Sequence, residues 1–212
     1  ASADVASDQL KVLNLVRFLA DHRGPEAAVA ELDARLAEGN SPVIFRATRA
    51  GLLFDQGNQE AAIAEMQSVI ETAEPSDEVQ QIRVGLARML MTVGNPVGAR
   101  SLVEEVLKED PSDLEANKLK ANWLILNDQV ADAITILRQA IDDHPREADL
   151  MTLMAQAHER DGNRELMRDM LALAVEASGR APDETLRYAQ LMASDGEFLT
   201  AEAALIDALR LA

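Results

Sequence analysis

The 212-residue chain has no cysteine. That removes disulfide staples, thiolate metal sites and cysteine nucleophiles together, and it leaves the redox compartment open. Aromatic residues make up only 3% of the chain, so the side chains that favour sheets are scarce. Basic residues number 20 against 37 acidic ones, for a formal net charge of −17. So acidic a chain repels phosphate backbones and anionic lipid heads, which argues against nucleic-acid and membrane-surface partners. It is suited instead to solubility or to basic partners. No run of about 18 apolar residues occurs, so no transmembrane segment is expected. Ala1-Ser2-Ala3-Asp4 has neither a basic n-region nor an apolar h-region, so a signal peptide either never existed or is missing from this sequence. The seven prolines and ten glycines are few, and they are spaced along the chain rather than gathered in a linker.

What is present is small and aliphatic. The chain is 48% hydrophobic, dominated by Ala and Leu, which is enough to bury a core as one or two domains and favours close-packed helices. Gly57, Gly94, Gly162 and Gly196 mark a period, and Asp128 fills the slot between the second and third. The steps are 37, 34, 34 and 34 residues. A glycine recurring at this phase suits a helix that ends on a left-handed residue. Units can then be drawn at 9–42, 43–79, 80–113, 114–147, 148–181 and 182–212, together one domain over 1–212.

The same chemistry recurs at the same phase. The eighth place reads Val16, Ala50, Ala87, Ala121, Ala155 and Ala189; the twentieth reads Ala28, Ala62, Ala99, Ala133, Met167 and Ala201. Small residues there let two antiparallel helices approach closely. Larger aliphatics fill the remaining space, with Leu19, Leu53, Leu90 and Leu124 at the eleventh place and Leu32, Met66, Val103, Leu137, Leu171 and Leu205 at the twenty-fourth. Within each half the spacing follows the 3.6-residue period. Ser41-Pro42, Ser76-Asp77 and Pro111-Ser112-Asp113 supply helix starts. The three extra residues of the 37-residue unit, near Glu74-Pro75-Ser76-Asp77, are expected in a lengthened loop.

This pattern resembles the tetratricopeptide-repeat (TPR) family. The likeness rests on the small eighth residue, the Ala at the twentieth place, its bulky partner and the unit-ending Pro111 and Pro145. The fourth place departs from the family's Trp, reading Val12, Arg46, Arg83, Asn117, Met151 and Thr185. The resemblance implies an all-α, right-handed solenoid of about six helix-turn-helix units. Its acidic, Ala-rich, degenerate repeats resemble those of bacterial TPR proteins, including envelope-associated ones, and a periplasmic or a cytoplasmic location is open.

The familiar chemistry of enzymes is missing. His22, His144 and His158 are far apart, and His158-Glu159 is followed by Gly162 where a His-Glu-x-x-His metal site needs its second His. His158 reads as a half-buried filler where other units place Leu or Met. There is no Gly-rich phosphate loop and no Gly-x-Ser-x-Gly elbow. Glu104-Glu105 and Asp142-Asp143 read as solvated faces, the eight Met mostly as core filling, and Trp123 as a packing residue. No catalytic residue, metal or cofactor is expected.

The resemblance implies that first helices line a concave groove for a peptide, facing it from roughly the second, fifth, ninth and twelfth places. The ninth reads Arg17, Gly51, Arg88, Asn122, Gln156 and Gln190, mostly hydrogen-bond donors able to hold a peptide backbone. Lys118 resembles part of the family's two-carboxylate clamp, but Leu153 stands where the next unit should offer Asn. The expected function is a protein–protein interaction scaffold. The alternative is an assembly module, a homodimer or a fragment of a longer array, joined through the apolar terminal helices that carry Val12, Phe18, Phe198, Leu205 and Leu209.

Overall fold

A computed structural model of the chain describes the backbone of residues 2–39 and 42–211, with side chains from 8–39 and 42–210. Among the described residues there are twelve α-helices and no strand. Contacts divide them into two compact units, Ala1–Val106 and Leu107–Ala212, with the boundary inside the sixth helix. The first unit holds α1 (Ser2–Arg23), α2 (Pro25–Ala37), α3 (Val43–Asp55), α4 (Gln59–Thr72), α5 (Asp77–Thr92) and most of α6 (Pro96–Glu109). The second holds α7 (Leu114–Leu126), α8 (Val130–Asp143), α9 (Ala148–Arg160), α10 (Arg164–Ala177), α11 (Pro182–Ser194) and α12 (Phe198–Leu211). The architecture is the all-helical hairpin repeat that the periodicity predicts. Each unit packs helix on sequential helix: α1–α2, α2–α3, α3–α4 and α4–α5 in the first, and α7–α8 through α11–α12 in the second, where α7 also meets α9.

The small residues sit at the contacts. Ala28, Ala50, Ala62, Ala87, Ala99, Ala121 and Ala133 are fully buried, and Ala155 nearly so. A side chain of one carbon lets the helix backbones come together, and the larger neighbours then close the gaps. Leu32, Val103 and Leu137 at the twenty-fourth place are likewise fully buried, each of the leucines stabilising by about 1.5–3 kcal/mol over exposure. Gly98 extends the logic, since a Cβ there would lie 3.2 Å from the Leu90 side chain of α5.

The hairpin turns repeat to the atom. Gly57, Gly94, Gly162 and Gly196 have positive φ, and so does Asp128, at 61°. After each, one N–H reaches back five residues: Asn58 to the Leu53 carbonyl, Asn95 to Leu90, Gln129 to Leu124, Asn163 to His158 and Glu197 to Met192, all at 2.8–2.9 Å. This closes α3, α5, α7, α9 and α11 by satisfying a carbonyl that the helix itself leaves free.

Helix starts follow the capping chemistry. Ser76 accepts from the Val79 N–H at 3.3 Å and Asp113 from the Ala116 N–H at 2.7 Å. Ser41 lies outside the described residues, and Pro42 stands at the N-cap of α3. The three extra residues do not lengthen the loop. They extend α5, which runs 16 residues against 13 for α3, α7, α9 and α11. Ser76 caps that added turn, and Asp77 and Glu78 in it favour the positive end of the helix dipole.

Candidate functional site

The residues singled out for a groove are distributed over both units, which are described separately. In the first, Arg17 on α1 and Arg88 on α5 are exposed. In the second, α7 carries Lys118 and Asn122, α9 carries Gln156 and α11 carries Gln190. Lys118 is engaged within the chain: its Nζ lies 3.0 Å from Glu115, 3.4 Å from Glu147 and 2.6 Å from Asp149. Its side chain is only 16% exposed, so the ammonium ties α7 to the start of α9. Asn122 is half-buried. Trp123 beside it is buried at 6% exposure and packs, as the sequence suggests.

Gln156 and Gln190 come together. Both line a cavity of about 440 Å³ where α9, α10 and α11 meet. Ala155, Met167, Leu171 and Leu191 form an apolar part of its wall, continuous with the buried cluster that includes Ala189 and Met192. Thr152, Gln156 and Glu159 line it from one face of α9, and Arg187, Gln190 and Ser194 from α11. The spacing explains this: places four or three apart on a helix share a face.

The polar groups divide into those already committed and those open. Arg164 is held by Ser194 Oγ at 2.5 Å and by Asp195, which fixes the start of α10 against the end of α11. The side chains of Gln156, Glu159, Arg187 and Gln190 make no hydrogen bond or ion pair with the described residues. Thr152 is 8% exposed, and its hydroxyl is buried with no partner. A buried hydroxyl without a partner is costly unless something supplies one. The cavity therefore offers an apolar wall, two amides that both donate and accept, an open guanidinium, an open carboxylate and an unsatisfied hydroxyl. Lys118 and Asn122 do not line it. Among the described residues no three His, Asp or Glu side chains gather as a metal site would require.

The sequence signal for part of this cavity was in hand. Thr152 and Glu159 are the fifth and twelfth places of their unit, two of those that the resemblance implies face a groove, although among the candidates only Lys118 comes from a fifth place and none from a twelfth. Arg187 stands at the sixth place, outside that periodicity, and only the structure brings it to the cavity.

No family model and no curated protein matches the sequence. Solved structures match the fold. A tetratricopeptide repeat protein from Parabacteroides merdae has a TM-score of 0.68 at 14% identity, covering 94% of this chain and 78% of that one. A thermophilic TPR protein of Thermus thermophilus has a TM-score of 0.64 at 18% identity, covering 80% and 91%. YrrB, a TPR protein with an unusual peptide-binding site, has a TM-score of 0.53 at 16% identity, covering 78% and 84%.

Proposed function

We propose that this chain, whose fold is the TPR-type helical repeat, is a non-catalytic protein-interaction scaffold that holds an extended peptide segment of a partner in the cavity between α9 and α11. The observation that carries this is the convergence of Gln156, Gln190 and the open Arg187 beside an apolar wall. Glutamine amides pair with any peptide backbone, since each offers both donors and an acceptor. The wall formed by Ala155, Met167, Leu171 and Leu191 suits one aliphatic side chain, and Arg187 suits a neighbouring carboxylate. Magnitudes rank these contributions. Burying a Leu or Ile gives about 1.5–3 kcal/mol, whereas an exposed ion pair gives about 0–1 kcal/mol. The apolar contact supplies affinity, and Arg187 supplies register and preference. The peptide site of the structurally similar YrrB is in keeping with such a use of the fold.

Selection of displayed random peptides on the purified chain tests the reading. The expected result is enrichment of peptides with an aliphatic residue next to Asp or Glu, whose binding falls about ten-fold in an R187A/Q190A variant of unchanged helicity. Failure to enrich, or equal binding to the variant, contradicts it.

A second reading has its own support. On α12, Phe198, Leu199 and Leu209 are 68%, 81% and 77% exposed. That apolar face favours self-association through the terminal helix. Light scattering separates the readings: a dimer mass lost in L209D supports assembly, and a monomer at all concentrations removes it.

A further inference from the structure

A second cavity, of about 300 Å³, opens between α8, α9 and α10 and shares no lining residue with the peptide cavity. Its wall is mostly apolar, formed by Met151, Met154, Leu166, Met170 and Leu173 with His158 among them, and Ile141, Arg138 and Asp142 of α8 complete it. Met151 and Met154 are buried at 7% and 5% exposure, whereas Leu166 and Leu173 are 39% and 43% exposed at the mouth. His158 is 8% exposed, and its Nδ1 is sealed from solvent with no hydrogen-bond partner.

Helix packing does not demand this histidine. The same place of the repeat holds Leu53, Leu90, Leu124 and Met192 in other units. Nor does packing demand the methionines, for the hairpin α3–α4 puts Arg46, Arg49 and Glu65 where α9–α10 puts Met151, Met154 and Met170. A mostly apolar, deformable wall around one buried, unsatisfied imidazole, with Arg138 and Asp142 on the α8 side, is the composition of a small-molecule site: a hydrophobic wall with a few polar groups fixing orientation.

We propose that this cavity binds a small neutral molecule with an apolar body and one hydroxyl or carbonyl group, hydrogen-bonded to the His158 ring. Burial pushes the His158 pKa below its ordinary value; Asp161 opposes the shift and Arg138 adds to it. The ring is therefore neutral at pH 7, with one donor and one acceptor nitrogen, which matches an uncharged partner better than an ion. Unbranched methionines can shift to admit such a group toward Nδ1.

The test uses the whole chain with ¹³C-labelled methionine methyls, titrated with p-cresol and, separately, with toluene. Saturable shifts are expected at Met151, Met154 and Met170 and not at Met66 or Met89 in the other unit. p-Cresol should bind about five-fold more tightly than toluene, as one hydrogen bond implies. The H158L and H158M variants, each carrying a residue found at this place elsewhere in the repeat, should still bind both probes and lose that preference. Absence of saturation, shifts spread evenly over all methionines, no preference for p-cresol in the wild type, or a preference kept in either variant would each overturn the proposal.

Discussion

Two hairpins of the same repeat, one in each unit, solve the same packing problem with opposite chemistry. In α3–α4, Arg49 bridges Asp33 on α2 and Glu65 on α4, and Arg46 reaches Ser68 at 3.2 Å. In α9–α10 the corresponding places are Met154 for Arg49, Met151 for Arg46, Met170 for Glu65 and Leu173 for Ser68, with Arg138 on α8 in place of Asp33. The first layer is an ion network and the second an apolar cavity. Yet both hairpins turn on a left-handed glycine and bury Ala at the eighth place. The difference teaches that the alanine contacts and the turns fix the helix pair, while the layer beside them is free to carry charge, a cavity or a ligand.

Breaking the network on one side gives the largest effect. R49M should cost about 2 kcal/mol by urea unfolding, because Glu65, whose side chain is only 16% exposed, loses its close partner. Burial alone would lower the Arg49 pKa, but the hydrogen bonds and charges of Asp33 and Glu65 outweigh it and raise the value. Replacing the set together, as R46M/R49M/E65M, should recover most of the loss, since an apolar substitute of similar volume is nearly neutral. If the triple variant is as unstable as R49M plus its partners' separate costs, the two layers are not interchangeable.

The reciprocal change in the other hairpin is smaller. H158L removes a buried nitrogen without a partner and should gain about 1 kcal/mol at pH 7. The gain should widen in acid. Because the folded-state pKa lies below 6.5, the unfolded chain takes up the proton first as pH falls. The wild type therefore keeps this part of its stability above about pH 6.5 and loses it on acidification, with Asp161, Asp142 and Arg138 the charged groups nearby. A gap between wild type and H158L that stays constant from pH 7.5 to 5 would contradict that sign.

The smallest effect sharpens what the hairpins share. Asp128 is the one member of the turn series that is not glycine. D128G should stabilise by about 0.5–1 kcal/mol by relieving the left-handed backbone, read as a rise in the thermal midpoint.

These residues also show why the fold was legible and the site only partly so. Gly57, Gly94, Gly162 and the buried alanines act through backbone geometry, which repeats with the chain, so counting finds them. The Ser76 cap is legible too, but the sequence points to a loop where the turn it begins joins α5, because length alone does not say whether extra residues join a helix or a turn. Gln156 and Gln190 follow the repeat, so counting places them at one phase, and they line one cavity. Arg187 reaches the cavity from outside the places expected to face a groove, Lys118 is taken up by three carboxylates, and His158 shares its cavity with Leu166, Met170 and Leu173 of another helix. Such side-chain juxtapositions do not repeat, and a period cannot reveal them.

The most direct measurement is nuclear magnetic resonance mapping of a selected peptide on the ¹⁵N-labelled chain. The account predicts that the largest shifts fall on the side-chain amides of Gln156 and Gln190, the Arg187 Nε–H and the backbone of α9 and α11. Shifts centred on α12, or on helices of the first unit with those groups unmoved, would contradict it.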